Sequence, residues 1–249
     1  MEPWFFVSPE ALQQDSVVLS QELTRHLRVL RMQTGDLMVL ADGKGKAFQA
    51  RLESLTNTGG EAALLGEAPS SNEPAFQTTL FAGITKGEKM DLVVRQSVEL
   101  GVIKIVPVLS ERSVIRLSAV KKEERRLRWS KIAVAAAEQC RRSRIPEVAF
   151  PLEFDEMLVS WREEKFDAII VPWEEEKTTS LRHVLESLPS LKRTGFFIGP
   201  EGGITPGEIE KMKKFPGVHP VSLGPRILRA ETAPTTLLSI LMYHYEWKP

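Results

Sequence analysis

The sequence is short of several things on which whole classes of protein depend. It has one cysteine, Cys140, in 249 residues. A single thiol cannot build an intramolecular disulfide framework, and it leaves no cysteine-based zinc site. No run of 18 apolar residues occurs, so no membrane-spanning helix is expected. The opening MEPWFFVSPEALQQDSVVLS has no basic stretch followed by an apolar one. It does not read as a secretory signal, and the cytoplasm is the expected compartment. G-x-x-x-x-G-K-[ST] is absent, and no G-x-G-x-x-G follows the first strands, which argues against a P-loop and a nicotinamide enzyme. Internal repeats and low-complexity segments are missing too. Net charge is also absent, with 33 basic residues against 33 acidic ones.

That zero hides a segregation. Residues 1–70 hold six Lys/Arg and nine Asp/Glu, whereas residues 81–150 hold fifteen and eight. A basic middle between acidic flanks suits a polyanionic partner, and it equally suits a set of solvated helix faces. With 42% hydrophobic and 27% charged residues, the chain has what a globular protein of one or two domains needs.

Two patterns of organisation follow one another. Up to residue 70, short apolar runs alternate with turn signals: TGD precedes LMVLA, DGKGK precedes AFQARLESL, and TGG precedes EAALLGE. Closely spaced turns predict a small β-rich barrel or sheet. One helix interrupts it over 20–32, with Leu23, Leu27 and Leu30 at helical spacing. The polar stretch 69–74 reads as a linker, giving domains at 1–72 and 73–249. From residue 76, five apolar runs each precede a helical pattern, with helices expected near 88–100, 121–140, 180–188, 206–214 and 232–246. This predicts an α/β domain on a parallel sheet covered on both faces. Ligands of such sheets bind beyond the carboxyl ends of the strands, which directs attention to VPWEEE, GPEGGIT and LGPRILRAET.

In GPEGGIT, Thr205 can cap the next helix, Pro206 suits its first position and Glu208 completes a capping box. That leaves Gly199, Gly202 and Gly203, which permit a close backbone approach or a positive φ. Glu201 would repel a phosphate. A neutral adenosine attached to positive charge fits better, and S-adenosyl-L-methionine is such a ligand; a purely structural turn is the alternative. The loop 223–236 sets Arg226, Arg229 and Glu231 among apolar residues, as an Arg–Glu pair supporting a helix or as chemistry. At 138–146, Arg141, Arg142 and Arg144 either complement a helix dipole or clamp phosphates.

Together these segments resemble the ribosomal RNA small subunit methyltransferase E family of the SPOUT class. TKG at 85–87, ELGV at 99–102, SERS at 110–113, AEQCRRSRIP at 137–146, IGPEGG at 198–203 and LGPRILRAETA at 223–233 match in order. HLRVLRMQTGD at 26–36 with DGKGKAF resembles that family's PUA-like RNA-binding domain. Trp4, Gln96 and Ala135 depart from the family's usual arginine, lysine and glutamate.

The resemblance implies a C-terminal SPOUT α/β knot, a parallel sheet with a deep trefoil knot, behind an N-terminal PUA-like β-barrel. It implies S-adenosyl-L-methionine as cofactor, 16S rRNA in the 30S subunit as partner, a homodimer, and no metal or membrane. The implied reaction is methylation of uridine N3, at the family's uridine 1498. The cofactor would lie against Val171, Pro172, Ile198, Gly199, Pro200, Glu201, Gly202, Gly203, Leu223, Gly224, Ile227, Leu228 and Arg229. Arg229, Glu231 and Glu201 would be catalytic, and Arg25, His26, Arg31, Lys86, Lys89, Arg112, Gln139 and Arg142 would meet RNA. A SPOUT enzyme with another RNA target, ribose or transfer RNA base, is one alternative. A non-catalytic ribosome-assembly protein is the other.

Overall fold

The computed structural model describes residues 2–68 and 72–247, so the first three residues of the expected linker, 69–71, lie outside the described residues. The chain divides into two compact units, Met1–Glu73 with Val134–Ile145, and Pro74–Ala133 with Pro146–Pro249.

The first unit is built on five strands: β1 (Trp4–Phe6), β2 (Ser16–Leu19), β3 (Leu37–Ala41), β4 (Ala47–Leu55) and β5 (Gly60–Glu67). They form a mixed sheet in the order β1-β3-β4-β5-β2, with β1 parallel to β3 and the other pairs antiparallel. One helix, α1 (Gln21–Val29), starts where the Ser20 hydroxyl accepts the Leu23 N–H at 3.1 Å. It buries Leu23 and Leu27 among Phe5, Val17, Met38, Leu40 and Leu52. Arg31 ends it in the left-handed region at φ 58°, where the Met32 N–H reaches back to the Leu27 carbonyl. The distant segment 134–145 is fastened here: the Phe6 N–H donates to Glu138 at 3.4 Å, and the Ile145 N–H to the Gly43 carbonyl at 3.0 Å.

The second unit alternates strands and helices. In chain order these are β6 (Gln77–Gly83), α2 (Lys89–Glu99), β7 (Lys104–Leu109), α3 (Ala119–Gln139, of which the residues from Val134 on belong to the first unit), β8 (Glu147–Val148), β9 (Leu152–Glu153) and α4 (Phe154–Glu164). Then come β10 (Ala168–Pro172), α5 (Leu181–Ser187), β11 (Arg193–Ile198), α6 (Pro206–Met212), β12 (Val218–Val221) and α7 (Thr232–Tyr245). The sheet runs β12-β10-β11-β6-β7-β8, β9 also pairs with β7, and every pair is parallel. Its inner strands read as unbroken apolar runs because both faces are covered. One core cluster joins Phe81, Val106, Ile169, Phe197, Met157 and Ile209.

The five expected helices are present, and a sixth, α4, was not foreseen. It opens with a capping box in which Glu153, rather than a serine or threonine, is the N-cap and Glu156 its partner. β8 and β9 were also unforeseen, since two residues carry no period. Among the described residues no helix is long and apolar enough to cross a membrane.

Candidate functional site

Because all strands of the second unit are parallel, the loops that leave their carboxyl ends gather at one edge of the sheet. Those after β10, β11 and β12 line a cleft of about 430 Å³. The loop after β11 is a tight turn in which the Gly203 N–H donates to the Pro200 carbonyl at 2.9 Å. Of its three glycines only Gly203 has a positive φ, 74°. Gly202 is needed for space, since a Cβ there would stand 2.8 Å from the Arg112 Cβ. A Cβ on Gly199 would meet Ile204 at 2.7 Å. The close approaches that require glycine are therefore between parts of the protein itself.

The helix after this turn starts as the sequence predicts. Thr205 Oγ1 accepts the Glu208 N–H at 3.2 Å, and Glu208 Oε2 accepts the Thr205 N–H at 3.0 Å. Glu208 does more than cap. Its other oxygen accepts the Glu111 N–H at 2.9 Å, tying in the loop after β7.

Glu201 is held from the side of β6. It accepts the Lys86 N–H at 3.1 Å and the Lys89 ammonium at 3.2 Å. Burial pushes its carboxyl up, but backbone amides, its own and that of Lys86, together with Lys89, prevail and set it below the ordinary value. A carboxylate held in that way is a weak proton acceptor. Lys89 also lies 3.8 Å from Glu231. The Glu231 side chain is 16% exposed, and its Oε2 accepts no hydrogen bond among the described residues. Arg226 and Arg229 are exposed on the cleft wall, and neither is ion-paired among the described residues. The helix-supporting Arg–Glu pair is thus not formed; the Arg229 carbonyl starts α7 instead, accepting the Ala233 N–H at 3.0 Å.

Of the residues expected at a cofactor, Pro172, Ile198, Gly199, Pro200, Glu201, Gly202, Gly203, Leu223, Gly224, Ile227, Leu228 and Arg229 line this cleft. Val171 does not. Its side chain is fully buried in the core cluster, because alternate residues of β10 face opposite sides of the sheet. Lys89, expected at RNA, lines the cleft with Trp173, Glu174, Lys177 and Ser222, which went unnamed. Trp173 and Glu174 belong to VPWEEE and Lys177 follows it, at the end of a strand, while Ser222 follows β12. Trp173 anchors that loop by donating to the Ile204 carbonyl at 3.3 Å.

Arg142 is a correction. It is 2% exposed, and its guanidinium meets the Glu73 carboxylate at 2.7 Å within the first unit, so it cannot clamp a phosphate. The other residues expected at RNA are on the surface: Arg25, His26, Arg31 and Gln139 in the first unit, Lys86 and Arg112 in the second. His26 stands edge-on to Phe5 at 5.4 Å between ring centroids. Arg112 is exposed but engaged, donating to the Gly202 carbonyl at 3.0 Å.

Residues 71–242 match the RNA methyltransferase domain family, and residues 19–63 the RNA methyltransferase PUA domain. The ribosomal RNA small subunit methyltransferase E of Bacillus subtilis is 31% identical over 231 residues, covering 92% of this chain and 90% of the relative. The protein of that name from Synechocystis is 35% identical, covering 94% and 75%. Among solved structures, a ribosomal RNA small subunit methyltransferase E from Neisseria gonorrhoeae bound to S-adenosyl methionine superposes with a TM-score of 0.86 at 33% identity, covering 97% of both chains. The fold is that of the SPOUT methyltransferases with a PUA-like domain, and the chain belongs to the ribosomal RNA small subunit methyltransferase E family.

Proposed function

We propose that this protein is an S-adenosylmethionine-dependent methyltransferase that modifies N3 of a uridine in 16S rRNA of the small ribosomal subunit, the family's uridine 1498 site. The observation that carries this reading is the cleft at the carboxyl ends of β10, β11 and β12. Its volume suits one small ligand. Its wall carries charges of both signs, Glu174, Glu201 and Glu231 beside Lys89, Lys177, Arg226 and Arg229, which suits a ligand such as S-adenosylmethionine that bears both a carboxylate and positive charge. The turn Pro200–Gly203, Ile198, Leu223 and Leu228 would hold the adenosyl part. When bound, S-adenosylmethionine supplies an electrophilic methyl group.

The remaining work falls to this chain's residues. Uridine N3 is a weakly acidic imide and attacks well only after losing its proton. It lies on the Watson–Crick edge, so the base must be unpaired or flipped to reach the cleft. The Glu231 carboxylate, which lines the cleft and is held only loosely by Lys89 at 3.8 Å, is the proton acceptor in this reading. Exposed Arg229 stabilises the negative charge that spreads to the uracil oxygens. Glu201, already gripped by Lys86 and Lys89, fixes the loop in place. Holding the base against the donor supplies a large part of the acceleration. Arg25, His26, Arg31, Lys86 and Gln139 meet the RNA.

The protein acts as a homodimer in this reading, and its C-terminal loops form the trefoil knot that the family resemblance implies. Support for the dimer comes from an apolar stripe at helical spacing. Ile240, Tyr243 and Trp247, along and just past α7, are 37%, 73% and 50% exposed, and Leu92 lies on the adjoining α2.

The test is a strain lacking this gene. Its 16S rRNA is expected to lose 3-methyluridine, read by mass spectrometry of nucleoside digests, and to regain it on complementation. Retention of the mark, or loss of a different methylated nucleoside, rejects the uridine-N3 assignment.

A further inference from the structure

SERS at 110–113 follows β7, two strands away from β11 in the sheet order, yet it is joined to the β11 loop at several points. The Arg112 guanidinium donates to the Gly202 carbonyl at 3.0 Å. The Glu111 N–H donates to Glu208 at 2.9 Å, and Thr205 Oγ1 donates to Glu111 Oε2 at 3.1 Å. The segment has its own internal order: the Ser113 N–H bonds the Ser110 carbonyl at 3.0 Å, and Ser113 Oγ accepts the Ser110 N–H at 2.9 Å. Gly202 has no room for a side chain because the Arg112 Cβ lies over it. From the β6 side, Lys86 and Lys89 hold Glu201. At the end of β6 itself, Gly83 lies so close under Pro200 that a Cβ would overlap the Pro200 backbone. The turn 199–203 is therefore seated on the end of β6 and bracketed by the segments that follow β6 and β7.

We infer that Arg112 is a positioning residue for the donor-binding turn, and that the 110–113 loop sets affinity for the methyl donor instead of contacting RNA. Resting on the proposed function, this reading gives SERS a task that its basic residue alone would not suggest. A turn of small residues has little packing of its own, and each glycine adds backbone freedom. Its carbonyls and amides stay aimed at a ligand only if something outside the turn fixes them. Arg112 supplies a charge-assisted hydrogen bond to one such carbonyl, and Glu208 anchors the neighbouring residue of the same bracket.

The experiment compares wild type, Arg112→Met and Arg112→Lys as full-length chains. Methionine keeps an unbranched apolar stem and removes donor and charge; lysine keeps the charge and one reaching donor. Amide exchange over 199–205 is measured in the free protein, S-adenosylmethionine affinity by calorimetry, and affinity for a 16S rRNA fragment by filter binding. Arg112→Met is expected to speed exchange in the turn and weaken donor binding on the order of tenfold, with RNA affinity unchanged. Arg112→Lys is expected to recover part of both losses. Unchanged exchange and donor affinity together with weakened RNA binding would overturn the inference and make Arg112 an RNA contact. The two readings fail separately. If wild type binds no S-adenosylmethionine, the proposed function falls, while the exchange measurement still decides whether Arg112 braces the turn.

Discussion

The Lys89 ammonium lies 3.8 Å from the Glu231 carboxylate, while its stronger contact, at 3.2 Å, is with Glu201. The two cleft glutamates are thereby set apart. Glu201 is engaged by hydrogen-bond donors, whereas Glu231 has only the longer ion pair with Lys89. Glu231→Gln and Arg229→Ala are expected to retain S-adenosylmethionine binding by calorimetry. Both should lose methyl transfer by about a hundredfold to ten-thousandfold in single-turnover assays. Full activity in both variants would remove these roles.

Arg142 and Glu73 make a buried ion pair in which Glu73 also accepts the Arg144 N–H at 2.9 Å. Arg142→Ala leaves that carboxylate without its main partner and is expected to cost about 3–5 kcal/mol, read from urea denaturation. Arg142→Met combined with Glu73→Leu should restore much of the loss. A stability change below about 0.5 kcal/mol in the single variant would show that the pair has no structural role.

Glu176, in the loop after β10, is lowered to about 2, first by the Thr178 hydroxyl and then by the backbone N–H groups of Thr179 and Thr178. A depressed native value gives stabilisation that is complete above the ordinary value of 4.5 and disappears as pH falls through about 2. The carboxyl is largely solvated, so the effect on stability is small. An NMR titration of Glu176 should place its midpoint near 2 in wild type and visibly higher in Thr178→Val. Equal midpoints would show that the hydroxyl does not hold the carboxylate.

Replacing Tyr243 or Ile240 by glutamate introduces charge into the exposed stripe of α7 without touching the cleft. Sedimentation should show the dimer of the proposed function dissociating, with the circular dichroism of the chain unchanged. A wild-type protein that sediments as a monomer would exclude this surface as an interface.

How far the sequence could be read depended on the range of the interaction involved. The strands after residue 76 were legible because buried parallel strands appear as apolar runs, and α6 because Thr205, Pro206 and Glu208 are local signals. Helix α4 was missed because its cap, Glu153, is not a preferred capping residue. Arg142 was misread because a cluster of arginines at a helix end looks the same whether it meets solvent or a partly buried glutamate 69 positions earlier. Lys89 and Arg112 are expected from the sequence to meet RNA, and nothing in it marks them as supports for the glycine turn. Their partners lie 112 and 90 residues further on, beyond the reach of any pattern within a window.

Those separations also fix an order of assembly. The supports of the turn, residues 83–89 and 110–113, leave the ribosome well before Gly199, and the loop 223–231 that completes the cleft comes later still. A growing chain therefore carries a bracket with nothing to grip, and the cleft can close only after the loop 223–231 has been made. A fragment stopping short of residue 223 lacks the loop that forms one wall of the cleft.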